Sequence, residues 1–210
     1  FNCNPLTLGA DYVIHSTTKF LNGENDHGGG AIVVNSPERA LELETHQNYW
    51  GNYSSPIETE LLLRRMTDFE NRMEKFNRNA KECAQFLEKH PAVKTVFFNG
   101  IPSHASFENA QKLLSGPGSV MSFVLQEDNM DGLSAFYDGD LGSIIKAPSL
   151  GSNQTLVCPY TMLAHYHEPD DVLESLHLSR YLIRLSVGSE PTSEATLQGL
   201  KQGLDRVLDL

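Results

Sequence analysis

Apolar and polar positions follow one another along the chain in blocks whose spacing predicts both strands and helices. Two short β-branched runs bounded by glycine, DYVIHS and GGGAIVV, predict strands on either side of STTKFLNGENDH. Three more apolar runs predict strands at 93–98, 118–125 and 181–187. Helices are predicted at 105–115, 129–138 and 168–178, with a final helix at about 193–209 that has Ser193 as its N-cap.

The segment from Pro56 to His90 has the most regular helical spacing in the chain. Pro56 suits the first turn of a helix, and Pro91 ends the pattern. The apolar positions that recur with helical period are Leu62, Met66, Phe69, Met73, Phe76, Ala80, Cys83, Phe86 and Leu87. The pattern predicts one long amphipathic helix or two abutting helices, followed by a small α/β domain.

Composition and charge narrow the class of protein. The chain is 40% hydrophobic and 20% charged, which is typical of a globular protein, and its net charge of −11 disfavours a nucleic-acid surface. No apolar run reaches the roughly 20 residues of a membrane span, and no signal-peptide pattern is present. The three cysteines are far apart and without CxxC spacing, so neither a disulfide framework nor a zinc site is indicated. These features predict a cytoplasmic protein without nucleic-acid or membrane partners.

Lys19 follows hydroxyl side chains and precedes the glycine-rich GENDHGGG. The pKa of a free lysine is about 10.4, so its side chain is a cation at neutral pH. A cationic lysine is a poor nucleophile unless a covalent partner or its surroundings change its protonation. A lysine that forms a Schiff base, beside hydroxyls that can hold a phosphate ester, is what pyridoxal phosphate (PLP) requires. The alternative is an exposed lysine in a Ser/Thr-rich turn. A Walker loop is excluded by residue order, and Asp26 and His27 suit a turn-shaping role.

Arg184 stands in the middle of the apolar run LIRLSVG. Burying an arginine is costly without a partner, but its planar fork suits bidentate capture of a carboxylate. The alternative is an edge-strand arginine or one paired with an internal acid. Ser149 lies in the turn-like PSLGSNQTL, where a hydroxyl and backbone amides could face an anion.

The segment GADYVIHSTTKFLNGENDHGGGAIVV resembles the cofactor-lysine segment of the Cys/Met-metabolism family of PLP enzymes. That family's pattern is GAD, an apolar strand, HSxTK, and a glycine-rich turn with an aspartate. The resemblance continues, in the family's order, through LLLRRMTDFENRMEKFNRNA, GSVMSFVL, PSLGSNQTLVCPYTMLAHY and YLIRLSVGSEP. It implies an α/β fold in which the end of a fold type I, aspartate-aminotransferase-like large domain precedes a small C-terminal α/β domain.

The resemblance also implies roles for five residues. Lys19 would bind the PLP aldehyde as a Schiff base and move the substrate's α-proton, while Ser16 and Thr18 would hydrogen-bond the cofactor phosphate. Arg184, with Ser149 nearby, would bind the amino acid's α-carboxylate. No metal ion is implied.

Within the family, RMTDFENR and PSLGSNQTLVCPYTMLAHY are most similar to the cystathionine γ-synthase branch. This implies γ-replacement that joins an O-acylhomoserine and cysteine to give cystathionine, a transferase reaction of methionine and cysteine transsulfuration. Two departures bear on selectivity: residues 64–68 replace an RGLKT-like string, and Gln154 replaces a glutamate of several synthases and γ-lyases. Alternatives are a cystathionine or methionine γ-lyase, an O-acylhomoserine sulfhydrylase, or a non-catalytic fragment that keeps only the fold and an association surface.

Members of this family are much longer than 210 residues. The part before the lysine supplies an aromatic that stacks on the cofactor ring, an acid for the pyridine nitrogen and more phosphate ligands. The chain is therefore expected to be a C-terminal portion that is inactive alone. The expected division is the end of the large domain at 1–55, a long connecting helix at 56–90 and the small domain at 91–210. The intact protein is expected to be a homo-oligomer, a dimer of dimers, acting on small amino-acid substrates.

Four other side chains are conspicuous. His165 and His167 have an i, i+2 spacing but no third ligand, so a metal site is not predicted. Trp50 and Tyr53 stand near the expected domain junction. They are predicted to pack in the interior, the alternative being that they line an interface or a substrate entrance.

Overall fold

The chain folds into a two-stranded ribbon, a five-stranded mixed sheet and eight α-helices, and the computed structural model describes all 210 residues. The strands are β1 (Tyr12–Ser16), β2 (Gly30–Val34), β3 (Val93–Phe97), β4 (Val120–Leu125), β5 (Ile145–Lys146), β6 (Leu156–Pro159) and β7 (Ile183–Ser186). The helices are α1 (Pro37–Trp50), α2 (Pro56–Met66), α3 (Phe69–Lys89), α4 (Phe107–Leu113), α5 (Met130–Tyr137), α6 (Tyr160–Ala164), α7 (Asp170–Ser175) and α8 (Glu194–Leu208). The predicted α/β class is confirmed.

The ribbon pairs β1 with β2 in antiparallel register, from Tyr12 opposite Val34 to Ser16 opposite Gly30. Their β-branched residues favour extended backbone, as predicted. Ile14 remains 75% exposed, so the ribbon presents apolar surface. The strands place the two ends of the segment 17–29 side by side.

The segment 56–90, treated above as one connecting helix in the domain division, consists of two abutting helices. A capping box between Ser55 and Glu58 begins α2. The break lies at Thr67 and Asp68, where the Thr67 hydroxyl donates to the carbonyl of Arg64 at 2.7 Å. Such side-chain bonds to the backbone compete with helix continuation. The domain boundaries themselves remain a prediction.

The sheet has the order β3-β4-β7-β6-β5, with only the β5–β6 pair parallel. Strands β5 and β6 and helices α1 and α6 were not predicted from the sequence. One face of the sheet packs with α3, α5 and α8 into a core that includes Leu87, Phe123, Leu185 and Leu204, each fully buried. The other face carries Arg184 with its cross-strand neighbours, because side chains alternate along a strand.

The last helix begins where predicted, but Ser193 does not cap it through its side chain. The Ser193 backbone is helical (φ −80°, ψ −4°), and its hydroxyl instead donates to the Glu82 carboxylate on α3. A tertiary hydrogen bond has therefore replaced the local cap. This contact ties α8 to α3.

Candidate active site

Lys19 lies in a tight turn that follows β1 directly. Residues Thr17–Leu21 form one π-helical turn, in which Lys19 departs from helical geometry (φ −87°, ψ −127°). The Asn22 amide donates to the Thr17 carbonyl at 3.1 Å, and the Gly23 amide donates to the Lys19 carbonyl at 2.8 Å. Backbone hydrogen bonds therefore hold the turn on both sides of the half-buried lysine.

Three of the five predicted site residues meet at the loop that contains Ser149. The Lys19 Nζ donates to Ser149 Oγ at 2.7 Å. The Nη2 of Arg184 donates to the carbonyl oxygens of Pro148 at 2.7 Å and of Ser149 at 2.9 Å. The fold thus brings an amine, a hydroxyl and a guanidinium together from segments that are 130 and 35 residues apart in the chain.

The other two predicted residues lie on the glycine-rich side of the lysine turn. Thr18 Oγ1 accepts a hydrogen bond from the Gly29 amide at 3.3 Å. Ser16 is exposed at the end of β1. Thr17, which was not assigned a role, is buried and shares a 3.1 Å hydrogen bond with His27 Nε2. Of the three consecutive hydroxyl residues, Thr17 therefore makes an interior contact, whereas Ser16 and Thr18 remain near the surface.

Gly29 closes the space behind the turn. A Cβ at this position would lie 2.7 Å from Thr17 Oγ1 and 2.8 Å from His27 Nε2, well inside van der Waals contact. A Cβ on the neighbouring Gly28 would meet nothing within 4 Å. Glycine is therefore sterically required at position 29, where the backbone passes close to the lysine turn, but not at position 28.

An ion pair ties the far end of the turn to α2. Arg65 donates to both carboxylate oxygens of Asp26, at 2.5 and 2.9 Å, and Asn22 also donates to that carboxylate at 3.0 Å. The hydrogen bonds from Arg65 and then Asn22 hold the pKa of Asp26 well below its usual range. Asp26 therefore shapes the turn, as expected from its place in the sequence.

Arg72 on α3 is the principal internal support of the turn. Its side chain is 6% exposed, and it donates to the carbonyls of Phe20 (2.8 Å), Leu21 (3.0 Å) and Arg65 (3.0 Å). Burial lowers the pKa of Arg72, which still has three carbonyl oxygens as partners. The lysine turn is therefore fastened to the junction of α2 and α3.

Asn153 connects the lysine turn with the segment that follows β7. Its amide donates to the Gly23 carbonyl at 2.6 Å, and its side-chain nitrogen donates to Glu24 at 2.7 Å. Its carbonyl and its side-chain oxygen both accept from Ser189, at 2.9 Å each. One residue thus links the segments that carry Lys19, Ser149 and Arg184.

Beyond Ser149, Arg184 borders a cavity of about 440 Å³ on the open face of the sheet. Its guanidinium carbon lies 5.1 Å from the centre of the Tyr160 ring. It also faces Cys158, its cross-strand neighbour; burial raises the pKa of that thiol, and the nearby guanidinium partly opposes the rise. The cavity is lined by Phe97, Ser122, Tyr160, His177, Leu178, Leu182 and Arg184.

Sequence reasoning missed the supporting residues. Arg72 could have been found, because it lies four residues before Phe76 on the apolar face of α3. Asn153 and Tyr160 lie within the family-like string PSLGSNQTLVCPYTMLAHY, but the string does not show that Asn153 bonds to Gly23 or that Tyr160 packs on Arg184.

Two other predictions are corrected or completed by the structure. Trp50 and Tyr53 are 74% and 56% exposed rather than packed inside, because α1 has no buried residue. They line a cavity of about 560 Å³ beside the glycine-rich segment.

The rings of His165 and His167 pack edge-on against the neighbouring rings of Tyr160 and Tyr166.

Comparison with known proteins shows that the chain is similar to PLP-dependent enzymes. The family model for "Cys/Met metabolism PLP-dependent enzyme" matches residues 1–205. An L-methionine γ-lyase of Porphyromonas gingivalis is 36% identical over 207 residues, covering 98% of this chain and 51% of that protein. A cystathionine γ-lyase of Bacillus subtilis is 37% identical over 204 residues, covering 97% and 52%.

Solved structures show the same fold. Cystathionine γ-synthase from Xanthomonas oryzae pv. oryzae matches with a TM-score of 0.91 and 33% identity, over 99% of this chain and 53% of that one. Cystathionine γ-lyase from Lactobacillus plantarum matches with a TM-score of 0.90 and 31% identity, over 99% and 54%. The chain spans about half the length of the curated relatives it matches. No helix combines the length and apolarity needed to cross a bilayer.

Proposed function

Because the chain belongs to the Cys/Met metabolism family of PLP-dependent enzymes, we propose that the intact protein catalyses γ-replacement between an O-acylhomoserine and cysteine. Lys19 and Arg184 are its principal active-site residues in this proposal. The observation that carries it is their meeting at one loop: the Lys19 amine donates to the Ser149 hydroxyl, and Arg184 donates to the Ser149 carbonyl. An amine and a carboxylate-binding fork on one loop are what an amino-acid substrate requires.

The residues around Lys19 fit PLP. A primary amine that can hold the aldehyde lies beside two near-surface hydroxyls, of Ser16 and Thr18, that can donate to a phosphate. Gly29 leaves no room for a side chain behind them. When bound, PLP supplies an electron-accepting ring that stabilises negative charge developing at the substrate's Cα.

Lys19 is proposed as the group that moves the substrate's protons. Its Nζ is held by Ser149 Oγ at 2.7 Å, on a turn fastened by Arg72. The amine would take the proton from Cα and deliver a proton to the neighbouring carbons. Holding the base in place makes the transfer effectively intramolecular.

Arg184 is proposed to bind the α-carboxylate. Its Nη2 is already bonded to two backbone carbonyls, while Nε and Nη1 have no oxygen partner in the chain. These remaining N–H groups can donate charge-assisted hydrogen bonds to a carboxylate. A clamp at this position would orient the Cα–H bond towards Lys19, which contributes orientation rather than bond-making.

The synthase reaction is favoured here by the RMTDFENR and PSLGSNQTLVCPYTMLAHY segments, whereas the lyase reactions have equal support from the comparisons. Methionine and cystathionine γ-lyases are among the similar curated proteins. A γ-lyase or an O-acylhomoserine sulfhydrylase would use the same lysine and arginine. Like the synthase, these alternatives act on small amino acids, and we propose a homo-oligomer, a dimer of dimers, as the active form.

The test uses the intact protein that contains this chain, mixed with PLP. Borohydride reduction is expected to attach the cofactor to the peptide that contains Lys19, as seen by mass spectrometry. Absence of labelling in the intact protein would instead support a non-catalytic remnant. The Lys19→Ala variant is the control, since it lacks the amine.

Product analysis then separates the reactions. The synthase predicts cystathionine from O-succinyl- or O-acetylhomoserine only when cysteine is supplied. Ketobutyrate formed from cystathionine or methionine would refute the synthase and favour a γ-lyase. Homocysteine formed with sulfide in place of cysteine would indicate a sulfhydrylase.

A further inference from the structure

Two kinds of contact hold the Arg184 side chain, and only one of them consists of hydrogen bonds. The carbonyls of Pro148 and Ser149 hold its Nη2. A single nitrogen held in this way still allows the guanidinium plane to rotate about that point. A second contact is needed to fix the plane of the fork.

Tyr160 provides that contact. Its ring centre lies 5.1 Å from the guanidinium carbon, within the range of a cation–π interaction. The ring is placed by the backbone, because the Tyr160 amide donates to the Leu182 carbonyl at 2.9 Å, two residues before Arg184. The Tyr160 hydroxyl makes no hydrogen bond in the chain, so the aromatic face alone carries the contact.

We propose that Tyr160 is a positioning residue that fixes the plane of Arg184 and thereby sets the affinity for carboxylate substrates. This inference rests on the carboxylate-binding role of Arg184 in the proposed function. Backbone carbonyls hold one nitrogen, the aromatic ring covers one face, and the N–H groups of Nε and Nη1 are left for the ligand. A preorganised fork binds more tightly because less side-chain freedom is lost on binding.

The same ring also forms part of the wall of the 440 Å³ cavity beside Arg184. A variant that lacks the ring could therefore act through Arg184 or through the shape of the cavity. A carboxylate and its uncharged amide distinguish the two routes. Loss of the fork's orientation affects only the carboxylate, whereas a change of shape affects both ligands.

The experiment measures binding of butyrate and butyramide to the PLP-loaded intact protein by calorimetry. Neither ligand has an amine, so neither can react with the cofactor. Tyr160→Leu is expected to raise the Kd of butyrate about 5-fold, while Tyr160→Phe stays within about 2-fold of the parent. Tyr160→Met, which also lacks an aromatic face, provides a second test if the leucine variant does not fold.

A matched control comes from another tyrosine that packs on a cation. Tyr137 lies 5.2 Å from Lys146 Nζ, and Tyr137→Leu is expected to leave butyrate binding unchanged. With substrate, Tyr160→Leu should raise KM and leave kcat within about 2-fold, because Lys19 is untouched.

Three outcomes would overturn the assignment. Unchanged butyrate binding in Tyr160→Leu and Tyr160→Met would show that the ring is irrelevant. Equal losses in Tyr160→Phe would implicate the hydroxyl, and equal weakening of butyramide binding would implicate the shape of the cavity. A parent protein that retains PLP but binds no butyrate would refute the role of Arg184 in the proposed function as well. Butyrate binding by the parent with no effect of Tyr160 would refute this inference alone.

Discussion

Replacing Arg72 with methionine tests whether the lysine turn depends on its buried support. The change removes hydrogen bonds to Phe20 and Leu21, at 2.8 and 3.0 Å, and leaves both carbonyls of the turn without that donor. An unsatisfied buried polar group costs about 1–3 kcal/mol. Because Phe20 and Leu21 are only partly buried, the lower half of that range, about 1–2 kcal/mol per carbonyl, applies, and the free energy of opening the turn should fall by about 2–4 kcal/mol.

Hydrogen exchange of the intact protein, measured by mass spectrometry, reports this loss directly. A loss of 2 kcal/mol in opening free energy corresponds to at least about 30-fold faster exchange. The affected amides are those of Asn22 and Gly23, whose acceptors lie in the turn. Peptides from α8 serve as an internal reference.

Arg64→Met is the matched control, because Arg64 is 75% exposed and pairs only with Glu60 on the surface of α2. A surface pair of this kind contributes little, so exchange in the turn should not change. The reasoning is refuted if Arg72→Met and Arg64→Met give the same exchange in residues 17–26. It is also refuted if Arg72→Met accelerates the α8 peptides equally, which would indicate global rather than local loss.

Three other predictions follow from single positions. Gly29→Ala should lower PLP retention in equilibrium dialysis because its Cβ would lie 2.7 Å from a neighbouring oxygen, whereas Gly28→Ala should retain PLP as the parent does. Burial lowers the pKa of His90 below 6.5, so the unfolded state binds a proton more readily than the folded state, and stability falls as the pH drops below 6.5. His90→Gln should flatten this pH dependence of stability in urea titrations, and an unchanged slope would contradict the argument. Burial raises the pKa of Cys83 to about 12, so iodoacetamide at mildly alkaline pH should label it only after denaturation, and labelling of the native protein would count against its burial.

The sequence predicted best those elements whose stability comes from one regular apolar stripe. Strands β3, β4 and β7 and helices α3 and α8 bury residues along one face, so their periodicity is visible without the fold. Strands β1 and β2 bury no residue and were predicted from their β-branched content instead. Helix α1 was missed because it buries no residue. Strand β6 was missed because it has four residues, ends in proline and follows a turn-like segment, and β5 has only two residues.

The break between α2 and α3 illustrates the limit of periodicity. The apolar stripe continues across Thr67 and Asp68, and it therefore fits one helix or two. The break depends on where backbone carbonyls find their donors, and one of those donors is the Arg72 side chain bonded to the Arg65 carbonyl.

The sequence by itself determined the α/β class, the family and the individual side chains able to hold an aldehyde or a carboxylate, because these depend on local spacing and residue chemistry. Only the tertiary structure decided that Lys19, Ser149 and Arg184 meet, and that Arg72 and Tyr160 support them. The meeting depends on β7 lying between β4 and β6, so that residues far apart in the chain become neighbours. Hydrogen bonds and cation–π contacts act over a few ångströms in space, and the path of the folded chain decides which side chains come within that range.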